Sequence, residues 1–293
     1  MNRNITKSLI VISLSLLGFK GTGQEKSPIY VKYGLSTLKD VDSGHISHLE
    51  GQLVFPILKE KGVGLATGIA PQALLLENLP MEIGTRLFEL GIPIVAKLKG
   101  NGRNEYFLAG KISLNSDLEN ITIRDIIFGM GVGMQRKFSD DLTLGIGLGY
   151  AHQFFGNQLI PLLDFDYRIT HKLSIYGRFP MQGTLAYSSS IKSTLGLEWN
   201  LNASSYGIGK ETDEGSFVRV RNLNGGLFYS YQLLEHWKVK ITGGMGAQKF
   251  ESFQNKQTGT WTIITIPLSD REEPLETYTN RAMQFQIGLL YAF

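Results

Sequence analysis

The segment IIFGMGVGM, residues 126–134, places a large apolar side chain at every second position and a small residue between them. After the turn residues FSDD, the stretch LTLGIGLGY, residues 142–150, repeats the same alternation. A period of two is typical of a β-strand, whereas a helix repeats about every 3.6 residues. The two stretches are therefore predicted to form a hairpin with one apolar face and one face of small or polar side chains.

The same alternation recurs along most of the chain after residue 27. It is clear at 48–57, 159–168, 195–202 and 237–248. Strands of soluble domains are typically about five or six residues long, but these stretches run to about ten or more, the length that crosses a bilayer at a tilt. Several also finish in Tyr or Trp, as strands do at a membrane interface. The pattern predicts transmembrane β-strands.

The connections between these stretches are of two kinds, which indicates a barrel with two different ends. Short turns alternate with longer loops, and outer-membrane barrels keep the short turns in the periplasm and the longer loops outside the cell. Tracing the hairpins gives about 14 strands, an even number as such barrels require. About 12 are possible if the hairpin at 172–188 does not cross, and about 16 if residues 260–268 enter the wall. We interpret 260–268 as an extracellular extension of the longest loop, 253–279.

The N-terminus has the three-part layout of a secretory signal peptide. Arg3 and Lys7 precede an apolar run at residues 8–19, and the small residues Gly21 and Gly23 follow before Gln24. The run is shorter than the roughly 20 residues that span a bilayer as a helix. The alternative is a buried N-terminal helix. We expect residues 1–23 to be removed on export and residues 24–293 to form an all-β domain, a single closed antiparallel transmembrane barrel.

The composition excludes several classes of protein. The chain has no cysteine, which excludes a disulfide framework and thiolate metal sites. A net charge of +3 without a basic stripe gives no support for a nucleic-acid partner. The 34 glycines would weaken helices and ordinary strands, and the alternation explains part of them as residues that line the inner side of long strands.

The final nine residues, FQIGLLYAF, continue the alternation to the end of the sequence. The tail resembles the C-terminal recognition signal of outer-membrane barrels, which the barrel-insertion machinery reads. This resemblance implies that machinery as a partner during biogenesis, with outer-membrane lipid and lipopolysaccharide around the finished barrel. The alternating residues of the tail are Phe285, Ile287, Leu289, Tyr291 and Phe293.

The stretch at 164–208, which begins DFDYRITHKLSIYGRF, carries a wider resemblance. With it the chain resembles outer-membrane β-barrel families of unknown function from Bacteroidetes-type Gram-negative bacteria. The resemblance implies a location in the outer membrane, and it supplies no catalytic residues.

The inward-facing positions carry charges of both signs together with amides. Charges buried without water are costly, so these side chains must pair with one another or face an aqueous lumen. A water-filled passage for small solutes is the favoured interpretation, because many inward glycines leave room. The alternative is a structural or binding barrel, plugged by ion pairs and by the loop at 253–279. The residues predicted to line the lumen are Glu50, Glu89, Lys97, Lys111, Asp164, Asp166, Arg168, Arg178, Glu198, Asn200, Asn202, Asn222, Asn224, Lys238 and Lys240.

An outer-membrane lipid hydrolase is a further alternative. Such an enzyme needs a serine within hydrogen-bond reach of a histidine, and His48 has Ser47, Ser43 and Glu50 nearby in sequence. On a strand, however, Ser47 and His48 point to opposite faces, which favours a solvated histidine at the barrel rim. His45 and His48 are spaced for a helix and not for a strand, so no metal site is predicted there. We predict no catalytic residue, metal or cofactor.

Overall fold

The computed structural model describes residues 27–39, 41–209, 215–264 and 266–291. These residues form sixteen β-strands and one short 3-10 turn at Ile123–Asp125. The expected signal peptide, residues 1–23, and the terminal Phe293 lie outside the described residues. Among the residues described, no helix is long and apolar enough to cross a membrane.

The strands follow one another along the chain with short connections at one end and, except at 154–155 and 180–181, longer connections at the other. They are β1 Ile29–Thr37, β2 His45–Glu60, β3 Val63–Glu77, β4 Arg86–Lys99, β5 Asn104–Ser116, β6 Ile126–Lys137, β7 Leu142–Gln153, β8 Gly156–Arg168, β9 Leu173–Phe179, β10 Gln182–Ser188, β11 Ser193–Gly207, β12 Phe217–Gln232, β13 Trp237–Phe253, β14 Trp261–Ile263, β15 Ile266–Pro267 and β16 Glu276–Tyr291.

Fourteen of the sixteen strands form one closed ring. Strands β1 to β13 pair antiparallel in chain order, and β16 pairs with both β13 and β1. At this seam Tyr33 of β1 stands opposite Ile287 of β16. The ring therefore has no open edge there, and an open edge in hydrocarbon would leave backbone groups unsatisfied. The prediction of a closed antiparallel barrel of about 14 strands is confirmed.

The two remaining strands, β14 and β15, form a small hairpin in the connection between β13 and β16. β14 pairs in parallel with residues 157–159 at the start of β8. The hairpin is not a pair of wall strands, so the interpretation of 260–268 as an extension of the longest loop is confirmed. β9 and β10 belong to the ring, and the alternative of twelve strands is wrong.

The outer face of the ring is an apolar belt. Alternate side chains of the long strands project outward and are largely exposed, for example Val132 at 57%, Leu227 at 66% and Phe285 at 61%. Hydrocarbon is the solvent that fits such a surface, and a closed barrel is the sheet architecture that satisfies its own backbone there. The period of two in the sequence thus separates a lipid face from a lumen face.

The connections define a turn end and a loop end of the barrel. At the turn end, neighbouring strands are joined by turns such as 61–62 and 138–141, whereas 208–216 and 254–275 lie at the loop end. Pro56, inside β2, coincides with a register shift in the pairing of β2 with β3. Proline has no N–H to donate to the neighbouring strand, and such irregularities are the places in a sheet where this missing hydrogen bond is tolerated.

The tips of three neighbouring strands fold inward across the loop end of the lumen. We call them the mouth flap, residues 201–207 of β11, 217–221 of β12 and 249–253 of β13. One face of the flap packs against inner side chains of β2, β3 and β4. In this cluster Val220 and Phe250 of the flap join Ile46 and Leu87 of the wall, and all four are at most 1% exposed.

The other face of the mouth flap contacts the inner side of β5 and β7. Asn115 Nδ2 donates to the carbonyl oxygen of Ser205 at 3.1 Å, and Gln153 Nε2 donates to that of Ala203 at 3.0 Å. Phe217 and Phe253 lie in a second apolar cluster, with Phe154 and Phe155 of the β7–β8 connection. Because one face packs on β2 to β4 and the other contacts β5 and β7, the flap crosses the loop end of the lumen.

The wall is incomplete above the hairpin of β9 and β10. Each of these strands has only 7 residues, and their turn at 180–181 lies at half the height of the neighbouring strands. The upper part of β8, residues 156–162, and the upper part of β11, residues 202–207, therefore have no partner from this hairpin. We call the space between them the wall gap.

Candidate functional site

A cavity of about 440 Å³ lies inside the ring, and we call it the lumen cavity. It is lined on one side by β1 to β3 and on the other by β9 to β13 and β16. The side chains that face it are those at inward positions of these strands, so the alternation of the sequence positions them. Most are charged residues, amides and glycines.

Two charged clusters join strands on the β8–β13 side. Lys240 Nζ lies 2.7 Å from Glu198 Oε2, and Thr242 Oγ1 donates to Glu198 Oε1 at 2.7 Å. Arg178 binds Asp164 through two nitrogens, with Nε at 2.6 Å from Oδ1. A two-point contact between guanidinium and carboxylate is the strongest common form of ion pair. These clusters neutralise their own charges.

Two further acids are neutralised on the β1–β5 side. Glu50 accepts a hydrogen bond from the Tyr30 hydroxyl and lies 3.8 Å from Lys32 Nζ. Glu89, which is 3% exposed, pairs with Lys111 and accepts from Asn115. The lumen wall thus presents compensated pairs, with no surplus of one sign at these positions.

Amides form a second polar surface on β11, β12, β13 and β16. Four of their buried atoms, Asn222 Oδ1, Asn224 Oδ1, Gln248 Oε1 and Gln284 Nε2, have no hydrogen-bond partner among the described residues. All four side chains line the lumen cavity. Since buried polar atoms in proteins are almost always paired with protein or water, this side of the cavity requires water or a polar ligand.

The predicted lumen residues fall into three groups in the structure. Glu50, Glu198, Asn200, Asn202, Asn222, Asn224 and Lys240 line the lumen cavity. Asp164 and Arg178 form one inward pair, and Glu89 and Lys111 form another, which borders a smaller cavity. Asp166, Lys238, Lys97 and Arg168 lie nearer the turn end, where Arg168 Nε pairs with Asp141 at 2.7 Å.

Tyr176, Gln182 and Gln284 are among the residues that line the lumen cavity but were not predicted to do so. Each stands at an inward position of its strand, so the alternation contained the necessary signal. Their facing partners come from the register between strands, which the alternation does not give.

The residues considered for a hydrolase lie on two faces. The Ser47 hydroxyl is 3.1 Å from the Tyr33 hydroxyl, on the outer face, whereas His48 lines the lumen cavity. Ser43 lies in the connection between β1 and β2. The structure therefore does not bring a serine and His48 together on one face of β2. In the part of the chain that the structure describes, no three His, Asp or Glu residues form a group that could hold a metal ion.

The C-terminal tail forms the end of β16 at the seam of the ring. Phe285, Ile287 and Leu289 project outward with exposures of 61%, 51% and 42%, and Tyr291 packs edge-on against Trp237. Recognition of this tail by the insertion machinery stays a prediction.

The closed ring, its apolar belt and its polar interior define a β-barrel of the membrane-spanning type. The chain belongs to a family described as a domain of unknown function, DUF6268, whose model matches residues 89–261. The expected resemblance to a family of unknown function is thereby confirmed, and the Bacteroidetes origin stays a prediction. No curated protein sequence matches the chain significantly.

Several solved structures resemble the fold over nearly its whole length. The NanC porin has 8% identity and a TM-score of 0.38, covering 90% of this chain and 100% of its own. The KdgM porin, in complex with disordered oligogalacturonate, has 12% identity and a TM-score of 0.34 over 90% and 99%. The Pseudomonas putida toluene transporter TodX has 8% identity and a TM-score of 0.37 over 92% and 90%. Similarities at these scores carry no argument about activity.

Proposed function

We propose that this protein is a porin-like channel of the bacterial outer membrane for small uncharged polar solutes. The observation that carries the proposal is the lumen cavity of about 440 Å³ with its unpartnered amide atoms. Such a surface exchanges hydrogen bonds with water or with hydroxyl and amide groups of a solute. The loop end would face the cell exterior, as long loops do in this class of barrel.

The charges of the lumen support an uncharged solute. Glu198 is neutralised by Lys240 and Asp164 by Arg178, so a passing ion meets no ring of one sign. Rings of like charge are the usual means of selecting ions in a pore. The amide surface, by contrast, offers both donors and acceptors to a neutral molecule.

The mouth flap acts as the gate in this proposal. It is held by apolar packing and by side-chain hydrogen bonds, such as Asn115 to Ser205 and Gln153 to Ala203, and not by covalent links. Both kinds of contact can break and re-form. Passage would therefore require the flap to leave the lumen, and a variant that weakens its packing should open the channel more often.

The test compares the purified protein with its Phe250→Ala variant in planar bilayers and in liposomes that contain a neutral sugar. Phe250 is fully buried between the flap and the wall. Loss of a buried phenyl ring costs about 3–5 kcal/mol, so the ratio of open to closed channels should rise by about a hundredfold or more. Sugar efflux should increase in parallel.

The matched control is Phe228→Ala. Phe228 is also buried, at 3% exposure, but it packs with Tyr176 and Ala186 away from the flap. This variant should leave the open fraction close to that of the unaltered protein. If Phe250→Ala folds, as judged by heat-dependent gel mobility, yet conducts no ions and releases no sugar, the channel proposal is wrong.

A binding barrel is the second candidate, and the two apolar clusters around the mouth flap favour it. In that case the flap is permanent and the lumen cavity holds a ligand without passing it on. The same measurement separates the two candidates, because a binding barrel stays silent after Phe250→Ala.

Export and insertion belong to the same proposal. We propose that residues 1–23 direct export across the inner membrane, that the barrel-insertion machinery reads the C-terminal tail, and that outer-membrane lipid, including lipopolysaccharide, surrounds the apolar belt. The belt and the outward positions of Phe285 and Ile287 support these partners. Deletion of residues 1–23 should leave the protein in the cytoplasm, which cell fractionation would detect.

A further inference from the structure

A second cavity, of about 220 Å³, lies in the wall gap, and we call it the wall cavity. Its lining includes Ile160 at the free edge of β8, Leu201 at the point where β11 extends beyond β10, and Met181 of the turn below. Ile264, from the loop hairpin, borders it as well. These four side chains are apolar. The lining also contains polar side chains of the inner wall, namely Glu89 with its partner Lys111, Ser113, Gln153 and Gln158, so the cavity extends from the gap along the inner side of β4 to β8.

The gap is only partly filled by the rest of the chain. β14 pairs with residues 157–159 of β8, and the backbone nitrogen of Leu201 donates to the Met181 carbonyl at 2.7 Å. These contacts satisfy backbone groups at the two sides of the gap. The wall cavity lies beside these contacts, since Met181 and Ile264 belong to its lining.

A cationic cluster stands beside the wall cavity on the outward positions of the mouth flap. Arg219, Arg221 and Lys249 all bind Glu251, at 2.7, 3.0 and 2.7 Å. Arg271 of the loop adds a fourth cation nearby: burial lowers the pKa of its guanidinium, and the charge of Arg219 lowers it further. Four cations around the single carboxylate of Glu251 leave a surplus of positive charge.

The cations of this cluster differ in what holds them. Arg219 lies between the rings of Phe155 and Phe253, at 5.3 and 5.5 Å from the ring centroids, which fixes it in the flap. Arg221 instead lines the wall cavity. Its Nε is buried and has no hydrogen-bond partner among the described residues. A buried N–H left unpaired is costly. A ligand in the cavity that accepts a hydrogen bond from Arg221 Nε would remove this cost.

We propose that the wall cavity is a binding site for a single-chain anionic amphiphile, such as a fatty-acid carboxylate, that enters sideways from the outer leaflet. The acyl chain would lie between Ile160, Met181 and Leu201, and the anionic head would accept hydrogen bonds from Arg221. The site shares Met181, Leu201 and Asn202 with the lumen cavity, and the proposal goes beyond the passage of polar solutes.

The size of the cavity suits a ligand with one acyl chain and not a lipid with several. Pockets for drug-sized ligands measure about 300–1,000 Å³, and the wall cavity is smaller. A lipid with several acyl chains would not fit inside it. The surplus charge selects an acid over an alcohol or amine of the same length, because ion pairing beside a low-dielectric surface is strong.

The experiment uses the purified protein in phosphatidylcholine nanodiscs with a dodecanoate probe that carries a photoreactive diazirine on its chain. After illumination, peptide mapping should find the probe attached to the segments that contain Ile160, Met181 and Leu201. Arg221→Gln should lower this labelling about tenfold, as expected for the loss of a charged hydrogen bond.

Three controls separate the head group, the chain and the bulk membrane. Arg136→Gln removes an outward cation at the turn end of β6 and should leave labelling of the wall cavity unchanged. An uncharged diazirine dodecanol should label the cavity weakly and should not respond to Arg221→Gln. Met181→Trp fills the floor of the cavity and should reduce labelling by both probes.

Uniform labelling of the belt, without preference for the wall cavity, would overturn the proposal. So would strong labelling that Arg221→Gln leaves intact, which would indicate a purely apolar crevice. Heat-dependent gel mobility checks that each variant is folded. The labelling requires no solute passage and the bilayer conductance requires no amphiphile, so this proposal and the channel proposal can fail separately.

Discussion

Gly244 shows how a single residue controls the approach of two strands. It faces Gly226 across the pairing of β12 with β13, beside the lumen cavity. A Cβ atom at this position would lie 2.1 Å from the Gly225 carbonyl oxygen and 2.4 Å from the Gly226 Cα. Both are backbone atoms, so the strands themselves would have to separate. The glycine is required for close backbone contact below the mouth flap.

Gly244→Val should therefore destabilise the barrel. Overpacking in a closely packed site costs about 1–3 kcal/mol, and unfolding by urea in detergent, followed by tryptophan fluorescence, would measure it. The control is Gly64→Val, since no atom lies within 4 Å of a Cβ built there. Equal stability of the two variants would contradict the close approach.

Single residues also mark how far the sequence predicts the site. The period of two assigns Glu198 and Lys240 to the lumen face correctly, because each side chain's direction follows from its place in a strand. It does not predict that the two pair with each other at 2.7 Å, two strands apart. That contact depends on the register of β11, β12 and β13, which strand alternation leaves open.

Among the elements, the loop hairpin of β14 and β15 has the most specific attachment. Its docking on β8 depends on Gly156, which has a φ of +108°. A Cβ atom on Gly156 would lie 2.1 Å from Thr260 Oγ1 and 2.5 Å from the Thr260 carbonyl oxygen. The backbone nitrogen of Asn157 donates to this same carbonyl at 2.8 Å. The position thus joins the β7–β8 connection to the longest loop.

Gly156→Ala should release the loop hairpin from β8 without opening the ring. Trypsin should then cut the folded protein faster after Lys256 or Arg271, which lie in the same connection. Gly259→Ala is the control, because space around its Cβ is open and its φ is not positive. Unchanged cleavage of Gly156→Ala would show that the hairpin is held by other contacts.

The positions of the strands could be predicted from the sequence, but the inward bend of three of them could not. Alternation and turn residues located the wall strands, and the length of 172–188 identified a shorter hairpin. The inward fold of β11, β12 and β13 was not predicted, because a strand keeps its period of two whether it is straight or bent. In the flap, outward positions such as Ser205 are therefore buried, at 0% exposure.

At the scale of the whole molecule, the barrel separates two solvents by one wall. The lipid face needs apolar side chains, whereas the lumen face accepts charges wherever they are paired or wet. The same substitution should therefore cost different amounts of folding free energy at neighbouring inward and outward positions of one strand. β12 offers such a comparison, since Leu227 is 66% exposed on the belt and Asn224 lines the lumen cavity.

Leu227→Lys should cost about 2–4 kcal/mol of folding free energy, as lysine does near the middle of a bilayer. Asn224→Lys should cost much less, because the lumen can hydrate the new charge. Folding into lipid vesicles from urea, measured by heat-dependent gel mobility, gives both values. If the two variants lose the same stability, the assignment of lipid and lumen faces is wrong.

The short hairpin of β9 and β10 has a consequence for how this family can vary. The loop hairpin takes up part of the space that longer β9 and β10 strands would fill, because it pairs with the free edge of β8. Insertions in one segment and deletions in the other should then accompany each other among homologues. A homologue in which β9 and β10 are as long as the neighbouring strands should have a shorter connection before its last strand, one that cannot reach β8.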